Sequence, residues 1–91
     1  MVTGKTKTGF AFKINGRPLH DMEFLEIFAA LNKSETGFEV FDLLKWLFNE
    51  KDKKRLYDHV RDKNGVVDIE KVTAELVDIL AALKEAEETK N

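Results

Sequence analysis

Cysteine is absent from the chain, which removes disulfides, thiolate metal sites and thiol nucleophiles and leaves packing alone to hold the fold. A reducing cytoplasm is the compartment such a chain suits. Long apolar runs are absent as well: none approaches the ~18 residues of a membrane span, and Met1 to Lys7 is too polar for a signal peptide. Neither a membrane nor secretion is expected. Ser34, the single serine, lacks nucleophile-elbow neighbours, and His20 and His59 have no metal or triad spacing between them. No enzyme, metal or cofactor is therefore expected. The charges nearly cancel, 15 basic against 17 acidic, and 43% of residues are hydrophobic, which excludes the disordered class. A length of 91 residues allows one domain, spanning 1–91.

Alternation of Phe10, Phe12 and Ile14 with Gly9, Ala11 and Lys13 predicts a half-buried strand over 8–14, ended by the turn pair Asn15-Gly16. Residues 1–7 are expected to be flexible. Helical spacing begins at Asp21, with Phe24, Leu25, Ile27, Phe28 and Leu31 on one face. Thr36 with Glu39 makes a capping box before a second helix over about 37–48. Its apolar arc covers more than half the wheel, with Phe41 and Leu44 near the middle, so this helix is expected to be central and both residues buried. Asn49 caps a third helix over about 50–62, and Asn64-Gly65 is expected to close it as a left-handed C-cap. After Asp68 a narrow stripe of Ile69, Val72, Leu76, Ile79, Leu80 and Leu83 predicts a fourth helix. The helical core is thus 21–83, and 84–91 reads as a solvated tail.

Charge comes in alternating blocks. Residues 1–20 carry four bases and no acid, 21–50 two bases against seven acids, 51–63 six against three, and 64–91 three against seven. Such blocks suit complementary contacts within the chain or between copies of it. Asp62 to Asp68 resembles part of a calcium loop, but Val60 and Lys71 stand where anionic ligands are required, so calcium binding is not expected. The third helix, with Lys51, Lys53, Lys54, Arg55, Arg61 and Lys63, is the one segment suited to phosphates. Interleaved acids and a pI near 5.7 argue against nucleic acid as the main partner. Trp46 falls outside the apolar arc of its helix. It is either covered by another element or a partner-facing anchor.

The strand pattern Thr8-Gly9-Phe10-x-Phe12-x-Ile14, Asp21 opening the first helix, the run Lys53 to Asp62 and Asn64-Gly65-x-Val67 resemble the tail assembly chaperones of siphophages infecting Gram-positive bacteria. The similarity spans residues 8–83. It implies a mostly helical, non-catalytic protein that binds the tape measure protein in the cytoplasm of the infected host. It also implies a short and a frameshifted longer form, this charged ending matching the short one.

The reading in sum is a mostly α, four-helix domain with one short N-terminal strand, its first and fourth helices packed on the second. Phe10 and Phe12 on an unpaired strand, with Trp46, are the expected partner-binding residues, and the open strand favours a homo-oligomer. The alternative function is a small nucleic-acid-binding phage protein using helix 50–62.

Overall fold

Val2–Lys5 (β1) and Ala11–Ile14 (β2) pair antiparallel, with Val2 opposite Ile14, Thr3 opposite Lys13, Gly4 opposite Phe12 and Lys5 opposite Ala11. The computed structural model of the chain describes residues 1–88. Two expectations are corrected here. Residues 2–5 of the stretch expected to be flexible are a strand, and the strand expected over 8–14 begins only at Ala11. The reason for the first is Gly4, which weakens β1 in sequence but seats the Phe12 ring: a Cβ there would stand 3.0 Å from Phe12 Cζ. The reason for the second is Gly9, whose φ of +94° turns the chain within the connecting loop. That loop is closed by Thr6 N–H donating to the Phe10 carbonyl at 3.0 Å and Gly9 N–H to that of Thr6 at 2.9 Å.

Four helices follow. Met22–Lys33 (α1) starts where the Asp21 carboxylate accepts from the N–H groups of Glu23 and Phe24, and Glu50–Val60 (α3) where Asn49 accepts from Asp52 N–H at 2.8 Å. Glu39–Leu47 (α2) begins later than the proposed capping box places it. Ser34 Oγ instead gathers the N–H groups of Thr36 and Gly37, and Gly37 turns at φ +73° against Ile69. Ile69–Glu88 (α4) is the longest element. Its last turns take up most of the expected solvated tail: Lys84 and Glu85 are exposed but helical, and 89–91 lie outside the described residues. Nor does Asn64-Gly65 cap α3. The Asp62 carboxylate accepts from Asn64 and Val66 N–H, forming a separate turn with Gly65 at φ +84°, and these two donors, Val66 first, hold its pKa below the usual value.

The expected mostly α, four-helix architecture is the one observed, with the single strand replaced by the hairpin. The core is one cluster running from Phe10, Phe12 and Ile14 through Phe24, Leu43, Leu44 and Leu56 to Leu76, Ile79 and Leu83. Val40, Leu43, Leu44 and Leu47 bury the inner face of α2, whose main packing partner is α1, so the expected central position between α1 and α4 is not the one observed. Phe41 does not join them. One residue beyond Val40, about 100° around the helix, it is 55% exposed and pairs with the exposed Phe38, ring centroids 6.4 Å apart. Ile69, expected in the buried stripe of α4, is also exposed.

Packing partners differ in one respect from expectation. Helix α1 lies on α2, whereas α4 packs most closely with α3 and β1, because the hairpin and α3 occupy its inner side. Gly37 pins the α1–α2 connection near the start of α4, where an added Cβ would meet Ile69 Cδ1 at 3.3 Å. Gly37→Ala is therefore expected to cost about 1–2 kcal/mol through its positive φ. Urea denaturation of the two chains measures it.

Candidate functional site

The residues nominated from sequence do not form one surface. Phe10 and Phe12 are each 3% exposed and belong to the core, so the expectation that they bind a partner is corrected. Phe10 sits beneath the Arg55 guanidinium, 4.9 Å from the ring centroid, and meets Phe48 edge to face. The open-strand argument for self-association falls with them, since β2 has its partner in β1. Trp46 is 42% exposed, with Phe24 edge to face at 6.2 Å and the turn at Asn15 to Pro18 beside it. It is half-covered by its own chain.

A larger concavity than the one beside Trp46 lies elsewhere. Between α1, which lies on α2, and α4, which packs with α3 and the hairpin, is a groove of about 620 Å³. Phe28 and Leu31 of α1 form one wall, Ile69, Thr73, Val77 and Leu80 of α4 the other, and residues 34–37 close one end. A second hollow of about 320 Å³ shares Phe28, Val77 and Leu80 and carries the groove on to Leu19, Ala81 and Lys84. From Ile69 to Lys84 it follows α4 for about 22 Å at 1.5 Å per residue. Val77 is 58% exposed in its middle, a β-branched apolar side chain facing solvent. Around the start of α4, Ile69 also borders a smaller apolar hollow of about 190 Å³ lined by Phe41, Tyr57 and Val67. Ile69 thus borders both hollows.

The sequence places Phe28 and Leu31 on the apolar face of the first helix, and in the structure they are only partly buried. No family model, curated protein or solved structure matches the chain. The groove must be judged on its own chemistry. Its lining is predominantly aliphatic and aromatic with Glu35, Glu70 and Lys84 at its margins, a composition suited to binding an apolar stripe. No group of three or more His, Asp or Glu side chains able to hold a metal occurs among the described residues.

A polar cluster on the opposite side of α4 was missed entirely. Glu75 is 3% exposed; Thr6 Oγ1 donates to its Oε1 at 2.7 Å and Thr8 Oγ1 to its Oε2 at 2.9 Å. With its proton committed to Glu75, the Thr8 oxygen accepts from His59 Nε2 at 2.8 Å. Hydroxyl and carboxylate both lie at the same ring nitrogen, Glu75 Oε1 being 4.0 Å from Nε2, whereas a nucleophile relay needs the acid at Nδ1. The arrangement clamps the hairpin loop to α3 and α4. Lys7 N–H adds a bond to Asp78 at 3.0 Å. The only sequence signal was the position of Glu75, one turn from both Val72 and Ile79 at the border of the apolar stripe.

Three of the six bases of the segment 51–63 are engaged within the chain, and Lys51, Lys54 and Lys63 are exposed. Lys53 pairs with Glu50, Arg55 with Asp52 and Arg61 with Asp58, while Arg55 also donates to the Ala11 carbonyl at 2.9 Å and so latches β2. No helix among the described residues is long and apolar enough to cross a membrane.

Proposed function

We propose that this chain is a non-catalytic interaction protein, a tail assembly chaperone of the siphophage kind, which holds an apolar helical segment of a tape measure protein in the cytoplasm of the infected host. What supports the reading is the groove between α1 and α4: an open, mostly apolar trough about four helical turns long, the form that receives an amphipathic helix. A long helical client exposes apolar stripes before it is packaged, and covering them prevents its aggregation. Interaction then needs no reacting group, only a lined trough on a stable scaffold.

The test is co-purification and titration of the full chain with a siphophage tape measure protein. Val77→Arg places a charge in the groove at a solvent-facing position where folding has little to lose. It is expected to weaken client binding roughly tenfold or more with an unchanged melting temperature. Client binding that is indifferent to Val77→Arg would remove the groove from this account.

A further inference from the structure

The two walls of the groove come from the two acidic blocks of the chain. Helix α1 and the connection after it belong to residues 21–50, with seven acids against two bases, and α4 to residues 64–91, with seven against three, of which Glu75 and Asp78 turn to the hairpin and Glu70 lines the groove. The basic blocks, by contrast, are the hairpin and α3, which lie against the other side of α4 through Thr8, His59 and Glu75. At the closed end, Glu35 of the closing segment and Glu70 of α4 both line the groove, exposed and with no ion pair among the described residues. The far end carries Lys84. A trough with an apolar lining and two unpaired carboxylates at its closed end selects its occupant by charge as well as by shape.

Resting on the reading of the groove as a client site, we infer that it takes a basic amphipathic helix: an apolar stripe bordered by Lys or Arg side chains that meet Glu35 and Glu70. Pairs of this kind are solvent-exposed, so each adds modestly to affinity and more to the choice of partner. The apolar contact supplies most of the binding, and the acids decide which of several apolar helices is held. Uncharged or acidic stripes are discriminated against, because the two carboxylates then stay unpaired or face like charge.

Three synthetic helical peptides of about 15 residues, matched to the ~22 Å of groove, test this on the full chain. They share one apolar stripe and carry Lys, Gln or Glu at the bordering positions. By fluorescence anisotropy at low salt, the Lys peptide is expected to bind roughly fivefold tighter than the Gln peptide and more than that over the Glu peptide. The advantage shrinks as added salt screens it. The doubly reversed chain, Glu35→Lys with Glu70→Lys, is expected to invert the order at a cost of only a few degrees in melting temperature, since Glu70 favours the N-terminal end of the α4 dipole. Equal binding of all three peptides, or an order that survives the reversal, overturns the charge selection and leaves the groove standing. Failure of every peptide to bind, or binding that Val77→Arg does not weaken, overturns the groove reading beneath it.

Discussion

Phe24→Ala is expected to destabilise the chain by about 3–5 kcal/mol, and Phe41→Ala by less than about 1 kcal/mol. Both are phenylalanines on adjacent helices, and composition alone gives no reason to separate them. Phe24 is fully buried at the first turn of α1 and supports the edge of Trp46, so truncation opens a cavity between α1 and α2. Phe41 is more than half exposed, and its main neighbour is the equally exposed Phe38. A domain of this length holds roughly 5–14 kcal/mol in all, so the first change removes a large share of it. Urea unfolding monitored by circular dichroism compares the two midpoints. Equal displacement would mean that α2 turns Phe41, rather than Leu43 and Leu44, towards the core.

That contrast marks where sequence reading stops. The start of α3 was legible because its cap is local: Asn49 accepts from Asp52 N–H three residues on, as expected, whereas the equally local Thr36–Glu39 box is displaced by the turn at Ser34 and Gly37. The face of α2 was not legible, because its apolar arc is wider than the core it meets and a wheel cannot say which half turns inward. Strand β1 was hidden for a related reason. Its one large apolar residue is Val2, and Gly4 earns its place only through the ring of Phe12, which lies across the ladder.

The groove was harder still to read, being a lack of packing rather than a contact. Phe28 and Leu31 lie on the apolar face of α1 as a core pattern requires, yet the hairpin and α3 claim the side of α4 that would have covered them. Charge blocks, on the other hand, were plain in the sequence. Their meaning appears only once α1 and α4 are seen to share a trough and the hairpin to lie behind it.

Glu75→Ala is expected to cost about 2–4 kcal/mol, a large effect for a charged residue on an amphipathic helix. The carboxylate is almost wholly out of water and tolerable only because Thr6 and Thr8 donate to its two oxygens. Removing it leaves both hydroxyls without their acceptor and takes away what fixes Thr8 against His59. Asp78→Ala, which removes a contact to Lys7 at the surface, is expected to cost less than about 1 kcal/mol. Glu75→Gln should fall between them, since one amide oxygen still accepts while the amide NH₂ meets a hydroxyl that must then turn to receive it. Hydrogen exchange locates the damage: the amide of Phe10, bonded to Thr6 Oγ1, should lose protection before the amides of α1 do. Helix α4 carries Glu75 towards the hairpin and Val77 towards the groove, so loosening the clamp frees the groove's wall from behind. Peptide affinity should therefore decline in Glu75→Ala although no groove residue has changed, and an unchanged affinity would show that α3 alone holds that wall in place.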